Sequence, residues 1–103
     1  MGGVKLETDG HVALITLDRA DKLNAMTPEM TDELHAHVAT VNRNDSIRAV
    51  VITGAGEKSF CAGSDIRELD AYDTAWSFRG RPDYCDAVRA LTKPVIAAIN
   101  GYA

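Results

Sequence analysis

Five consecutive residues, Cys61-Ala62-Gly63-Ser64-Asp65, form the segment of this chain that is best suited to chemistry. Small side chains and a glycine allow its backbone to approach a ligand closely. Asp65 followed by Glu68 resembles the capping box that opens a helix. With Asp65 as the cap, the Ser64 amide lies just ahead of the helix and can stabilise a developing oxyanion, helped by the helix dipole. The alternative is a purely structural turn in which Asp65 only caps the helix.

Other reactive side chains are less suited to act as an acid, a base or a nucleophile. His35 and His37 are two residues apart on a predicted helix, so their side chains point about 200° apart and cannot share a metal or a substrate. We interpret them, and His11, as surface residues. Cys61 has no evident basic partner, which favours an inert thiol. Helix capping and surface charge explain the nearby acidic residues, which are Asp65, Glu68 and Asp70.

One loop resembles a nucleotide site but lacks the residues that such a site needs. The stretch Gly54-Ala55-Gly56-Glu57-Lys58-Ser59 ends in Lys-Ser, like a phosphate-binding loop. Glu57, however, stands where that loop requires glycine, and its charge repels phosphate. Ser59 also replaces the third glycine of a dinucleotide-binding loop. The sequence therefore predicts no nucleotide site here.

The composition is that of one globular domain. The chain has 103 residues, of which 46% are hydrophobic and 25% charged, and its net charge of −4 argues against nucleic-acid binding. The longest apolar run, Val95 to Ile99, is far shorter than the roughly 20 residues of a membrane span. Two cysteines without a Cys-x-x-Cys pattern predict neither a disulfide framework nor a zinc site. No signal peptide is recognisable, so a reducing cytoplasm is the default expectation.

The first half of the chain predicts a hairpin and an amphipathic helix. Two β-prone runs, Val4 to Glu7 and Val12 to Leu17, flank Asp9-Gly10, a pair that favours a tight turn. Thr27-Pro28-Glu29 is typical of a helix start. Helical spacing of apolar residues predicts a helix from about Pro28 to Asn42, with the stripe Met30, Leu34, Val38 and Val41.

The second half predicts strands that alternate with helices. Ala49 to Thr53 and Val95 to Ile99 are typical of strands buried in a mainly parallel sheet. A short extended piece, Ser59 to Cys61, precedes the candidate segment. Helical spacing from Pro82 predicts a second long helix, closed by Lys93-Pro94, with apolar positions Tyr84, Val88 and Leu91. No helix follows to cover the far side of the last strand, so we expect an incomplete α/β fold.

Four ordered blocks together make the chain resemble the crotonase family, the enoyl-CoA hydratases and isomerases. They are residues 18–26 (DRADKLNAM), 49–54 (AVVITG), 60–66 (FCAGSDI) and 93–101 (KPVIAAING). The likeness covers the chain from about Val12 onward. It implies a crotonase-like spiral of ββα units, of which residues 1–103 are the amino-terminal portion, and an acyl-CoA thioester as the ligand.

The resemblance also implies which residues bind that ligand. The thioester oxygen would lie between two backbone N–H groups of an oxyanion hole, and the first of these matches Ser64. Coenzyme A enters as part of the substrate, with no separate cofactor and no metal, and a homo-oligomer, a trimer or hexamer, is expected. The residues that would border it are Lys22, Leu23, Ala62, Gly63, Ser64, Asp65, Ile66 and Arg67.

For several side chains the sequence does not decide between two roles. The basic residues Lys58, Arg67, Arg79 and Arg81 either meet coenzyme A phosphates or are ordinary surface charges. Trp76 and Phe78 either line an acyl pocket or pack in the core.

The resemblance places the second oxyanion donor and the catalytic glutamates after the Asn-Gly-Tyr-Ala block, where residues 1–103 offer no match. One donor contributes about 3 to 4 kcal/mol of transition-state stabilisation, against the roughly 8 to 23 kcal/mol that enzymes supply. Three interpretations follow. The chain is the amino-terminal part of an enoyl-CoA hydratase or isomerase, a non-catalytic module that binds acyl-CoA or assembles with other subunits, or a part of a longer sequence.

Overall fold

In the computed structural model the chain forms a mixed four-stranded sheet with flanking helices. The structure describes residues 3–67, 72 and 74–103, and of Phe78 only the backbone. The strands are β1 (Gly3–Asp9), β2 (Val12–Asp18), β3 (Ala49–Gly54) and β4 (Val95–Ala98). The helices are α1 (Pro28–Arg43), α2 (Ala75–Arg79) and α3 (Tyr84–Arg89), and a 3-10 turn spans Ala20–Lys22. The predicted α/β class is confirmed.

The sheet has the order β1-β2-β3-β4, with β1 and β2 antiparallel and the other neighbours parallel. The amino-terminal hairpin forms as predicted, but its turn lies one residue later. Asp9 pairs with Val12, so the two loop residues are Gly10 and His11. Gly10 has a φ of +60°, a conformation that favours glycine.

Helix α1 buries the apolar stripe that its sequence predicts. Met30, Leu34, Val38 and Val41 are all buried, and the helix begins at Pro28 and ends one residue beyond the predicted end. The helix packs against β1 and α3. It meets the sheet on the face that carries the buried strand residues Ala13, Ile15, Leu17, Val50 and Ile52. No helix in the described residues is long and apolar enough to cross a membrane.

Thr27 caps α1, and we expect Thr27→Ala to lower the free energy of unfolding by about 1 kcal/mol. Its hydroxyl oxygen accepts a hydrogen bond from the Met30 N–H at 3.1 Å, which alanine cannot replace. Urea unfolding followed by circular dichroism measures the loss. Thr40→Ala is the control, because that exposed hydroxyl only donates to the Ala36 carbonyl of its own helix. Equal losses in both variants would contradict the capping role.

The helix predicted from Pro82 is much shorter than expected. Helix α3 has six residues and begins after Asp83, whose carboxylate accepts a hydrogen bond from the Cys85 N–H at 2.7 Å. The chain leaves the helix early because Asn42, near the end of α1, binds the segment that follows. Its side chain donates to the Ala90 carbonyl at 2.8 Å and accepts from the Thr92 N–H at 2.9 Å. Helix α2 was not predicted from the sequence.

The prediction of buried parallel strands is wrong for β4, although its far side was expected to be uncovered. Strand β4 pairs with β3 as expected, but all four of its residues are exposed, with Val95 at 41% and Ile96 at 60%. It is exposed because it forms the edge of the described sheet. On β3, Val50 and Ile52 are buried beneath α1, whereas Val51 and Thr53 on the other face are half-buried.

Candidate functional site

Two loops meet beyond the carboxyl ends of β2 and β3, and they form the candidate site. We call them loop A (residues 19–26) and loop B (residues 55–67). Met26 and Ser64 form a parallel bridge in which the Met26 N–H donates to the Gly63 carbonyl at 2.7 Å and the Asp65 N–H donates to the Met26 carbonyl at 2.9 Å. In such a bridge the N–H of the central residue points away from its partner. The Ser64 amide is therefore directed away from loop A.

The Ser64 N–H takes part in no hydrogen bond among the described residues. Gly63 has a φ of +100°, so the chain turns sharply just before this amide in a conformation that favours glycine. Asp65 caps the turn that follows, because its carboxylate accepts from the Arg67 N–H at 3.0 Å. Glu68, the other half of the predicted capping box, lies outside the described residues. The Ser64 N–H is thus a backbone donor without a hydrogen-bond partner among the described residues. It lies between the turn at Gly63 and the turn that Asp65 caps.

Asn24 holds loop A against loop B. Its side chain is fully buried and donates to the Ala55 carbonyl at 3.0 Å and the Ser59 carbonyl at 2.9 Å. Its amide oxygen accepts from the Arg19 N–H at 2.8 Å. The residue has a φ of +57°, which asparagine tolerates better than most residues. One side chain therefore satisfies backbone groups from both loops.

A buried ion pair adds a second link between the loops. Arg19 Nη1 lies 2.7 Å from Asp65 Oδ2 and 3.2 Å from the Ala25 carbonyl oxygen. The Asp65 side chain is only 8% exposed and that of Arg19 15%. The hydrogen bond from Arg19, followed by the one from the Arg67 N–H, lowers the pKa of Asp65 below its ordinary value. These bonds occupy the Asp65 carboxylate, so a general-base role for it is unfavourable.

We expect the Asp65 carboxylate to make folding sensitive to acid. Because its pKa is lower in the folded than in the unfolded chain, its contribution is present above about pH 4 and is lost as the pH falls through the folded value. The free energy of unfolding should therefore decrease as the pH is lowered from about 4, and Asp65→Asn should remove part of that decrease. Urea unfolding across an acidic pH series measures it. Asp45→Asn, at an exposed carboxylate, is the control; an unchanged pH profile in Asp65→Asn would contradict the assignment.

The two loops border an open hollow of about 340 Å³. Six of the residues predicted to border coenzyme A line it, namely Lys22, Ala62, Ser64, Asp65, Ile66 and Arg67, together with Ala25. Leu23 and Gly63 lie in the same loops but do not line the hollow. The walls carry the exposed cationic side chains of Lys22 and Arg67 and the carboxylate of Asp65, whose Oδ1 lies 3.6 Å from Arg67 Nε. The excess of positive charge favours an anionic ligand there.

The other singled-out side chains lie away from this hollow or have a structural role. His35 Nε2 contacts the Asp83 carbonyl oxygen at 3.2 Å and His37 Nε2 contacts that of Val4 at 2.7 Å, so the two rings diverge as predicted, although both are half-buried. His11 is exposed, as expected. Among the described residues, no three potential ligands converge on a metal site.

Burial raises the pKa of the Cys61 thiol, in keeping with an inert group.

The structure places the side chains for which the sequence left two roles open at different sites. Trp76 is 79% exposed, so it does not pack in the core, and it borders a surface hollow with Arg79. Lys58 lines another hollow beside the turn after β3. Arg81 lines a small hollow together with Ser64, whereas the side chain of Phe78 lies outside the described residues.

Sequence reasoning missed the residues that organise the site. Asn24 and Arg19 fall in a block quoted for the family resemblance, but their roles depend on partners more than 30 positions away along the chain. Asn100 was likewise expected only to turn the chain; its side chain donates to the Gly54 carbonyl at 2.8 Å and accepts from the Gly54 N–H at 3.1 Å. The signal available in the sequence was an asparagine next to apolar residues, Leu23 and Ala25 for Asn24 and Ile99 for Asn100.

The family follows from a match along almost the whole chain. A model of the enoyl-CoA hydratase/isomerase family matches residues 7–103. The chain therefore belongs to this family, the crotonases, and the predicted resemblance is confirmed.

Individual relatives agree with this assignment. The chain is 40% identical over 104 residues to (E)-benzylidenesuccinyl-CoA hydratase of Thauera aromatica, covering 97% of this chain and 40% of that protein. It is 36% identical to a short-chain-enoyl-CoA hydratase of Clostridium acetobutylicum, covering all of this chain and 41% of that one. The crystal structure of an enoyl-CoA hydratase from Bacillus anthracis superposes with a TM-score of 0.84 at 34% identity, over 96% of this chain and 40% of that one. The chain thus spans about 40% of the length of these relatives.

Proposed function

We propose that residues 1–103 bind an acyl-CoA thioester and supply, from the Ser64 N–H, one donor of the oxyanion hole of an enoyl-CoA hydratase or isomerase. The observation that carries the proposal is the unused Ser64 amide, directed away from loop A at the border of the 340 Å³ hollow. The names of the relatives support the class of ligand, since both hydratases act on CoA thioesters.

The amide acts on the charge that develops during the reaction. When water adds to the β carbon of an enoyl thioester, or a proton leaves its α or γ carbon, negative charge accumulates on the carbonyl oxygen. A fixed N–H at that oxygen contributes about 3 to 4 kcal/mol of transition-state stabilisation. The Met26 bridge and the Asp65 cap hold the amide in place before substrate arrives, so the reaction need not reorganise it. The Ser64 hydroxyl has no part in this step.

The proposal assigns the remaining groups to the rest of the enzyme. By the family resemblance, the second donor and the acid/base carboxylates would lie in the part of such an enzyme that residues 1–103 do not match. One donor falls short of the roughly 8 to 23 kcal/mol that enzymes supply, so residues 1–103 would bind and polarise a thioester without efficient turnover.

Removal of the Ser64 N–H tests the proposal. Crotonyl-CoA labelled with ¹³C at the thioester carbonyl should show a downfield carbonyl shift on binding to the chain, because a hydrogen bond withdraws electron density from that carbon. Ser64→Pro deletes the N–H and should abolish the shift; the two hydrogen bonds of the Met26 bridge use the Gly63 carbonyl and the Asp65 N–H, not atoms of residue 64. Ser64→Ala, which keeps the N–H and loses only the hydroxyl, is the matched control and should retain it.

Two outcomes would contradict the proposed role. A shift that persists in Ser64→Pro would show that another group polarises the carbonyl. The absence of any crotonyl-CoA binding by the unmodified chain would remove the site itself. Circular dichroism of the variants checks that each is folded.

The sheet edge favours a second function, assembly with another copy of this chain. Strand β4 is exposed, and an apolar hollow of about 520 Å³ lies beside it, with Phe60, Val88 and Val95 among its lining residues. Burial of this surface in an oligomer would remove apolar area from water. Analytical ultracentrifugation distinguishes the cases: a trimer or hexamer supports assembly, and a stable monomer at all concentrations contradicts it.

A further inference from the structure

The hydroxyl groups of Ser64 and Tyr84 form a pair beside the candidate amide. Their oxygens lie 3.0 Å apart, and the hydrogen bond between them uses one of the two hydroxyl protons. Among the described residues, neither hydroxyl makes another hydrogen bond. One proton is therefore without an acceptor among the described residues and is available to a ligand.

The pair lines a small hollow of about 30 Å³, whose walls are partly polar and partly apolar. Its polar walls are already bonded within the protein: Thr27 accepts from the Met30 N–H, and the Asp65 carboxylate binds Arg19 and the Arg67 N–H. The volume equals that of about two water molecules. The hollow thus has room for a small oxygen-bearing group beside the pair.

The position of the Tyr84 hydroxyl is fixed by the packing of α3. The residue before it, Asp83, caps this helix through the Cys85 N–H, and its carbonyl oxygen contacts His35 Nε2 at 3.2 Å. One turn further on, Ala87 is completely buried against the core. The hydroxyl is therefore held in place before a ligand arrives, which favours selective binding.

We propose that Tyr84, together with Ser64, binds a hydrogen-bond acceptor in the acyl part of the thioester, so that the preferred substrates are acyl-CoA thioesters with an oxygen further along the acyl chain. The inference rests on the proposed function, which places the thioester oxygen at the Ser64 amide. A hydrocarbon chain beside the pair would cover a free hydroxyl proton without offering it a partner. Sites built to hydrogen-bond a substrate group discriminate against analogues that lack it.

A matched pair of ligands tests this selectivity. Pentanoyl-CoA and 4-oxopentanoyl-CoA differ by one ketone oxygen, and calorimetry measures the affinity of the chain for each. We expect the oxo compound to bind about tenfold more tightly. Tyr84→Phe removes the proposed donor and should bring the ratio of affinities close to one, whereas Ser64→Ala leaves the Tyr84 proton in place and should keep most of the preference. Tyr102→Phe, which removes a phenol that is 69% exposed, should keep the ratio.

The outcomes separate this inference from the proposed function. A ratio near one in the unmodified chain, or a preference that survives in Tyr84→Phe, would overturn the inference. If pentanoyl-CoA binds and its labelled carbonyl shifts while the ratio is near one, only the role of Tyr84 fails. If pentanoyl-CoA neither binds nor shows a carbonyl shift, the proposed function fails and the inference falls with it.

Discussion

Asn24→Ala is expected to lower the free energy of unfolding by about 3 to 7 kcal/mol. The substitution removes the partners of the Arg19 N–H and the Ala55 carbonyl, and each buried polar group left unpaired costs about 1 to 3 kcal/mol. The Ser59 carbonyl keeps a weaker partner, because Asn100 also donates to it at 3.3 Å. Alanine must in addition adopt a φ near +57°, at a further cost of about 1 kcal/mol. Urea unfolding measures the total.

Two further variants separate these contributions for Asn24. Asn24→Gly loses the same hydrogen bonds but adopts the positive φ without strain, so the difference from Asn24→Ala isolates the backbone cost. Asn44→Ala is the control for loss of an asparagine, because that exposed side chain only accepts from the nearby Ser46 N–H. A loss for Asn24→Ala as small as that for Asn44→Ala would show that loops A and B hold together without this side chain. Weaker acyl-CoA binding should accompany the loss of stability.

Gly54→Ala is expected to destabilise the chain by about 3 kcal/mol, through steric conflict and not through backbone strain. A Cβ at this position would lie 2.4 Å from the Phe60 carbonyl oxygen, 2.6 Å from that of Ser59 and 2.7 Å from Asn24 Nδ2. Two of these three are backbone atoms, which cannot rotate away as a side chain can. Loop B would have to move outward, and the hydrogen bond from Asn24 to Ser59 would lengthen or break.

The control for Gly54→Ala is Gly80→Ala. A Cβ at Gly80 would meet nothing closer than 3.6 Å, which is ordinary contact, so its stability should change by no more than about 0.5 kcal/mol. Thermal unfolding of both variants measures the difference. Similar melting temperatures would show that loop B adapts to the extra methyl group, and that the close approach of strand end and loop is not required for the fold.

The elements that depend on local pattern could be predicted from the sequence. Helix α1 follows from a capping threonine, a first-turn proline and an apolar stripe, all within one segment of the chain. The first hairpin follows from two alternating runs around a glycine. In both cases the residues that determine the structure are close neighbours in sequence, so their pattern carries the information.

The length of α3 could not be predicted in this way. Its helical spacing continues beyond Arg89, but the helix ends there because Asn42, on another element, binds the segment that follows. The exposure of β4 was expected for one face only, because no helix follows to cover its far side. The structure exposes residues on both faces, since burial depends on what packs against a strand and β4 lies at the edge of the described sheet.

For the candidate site, the sequence alone determined the family and the segment around Ser64, because four blocks in a fixed order are a pattern along the chain. The direction of the Ser64 amide was decided only by the tertiary structure, through a bridge to Met26, 38 positions earlier in the sequence. The roles of Asn24, Arg19 and Tyr84 were likewise decided only by the tertiary structure. Each of these side chains acts through a partner that is distant along the chain and comes within hydrogen-bonding range only once the strands have paired.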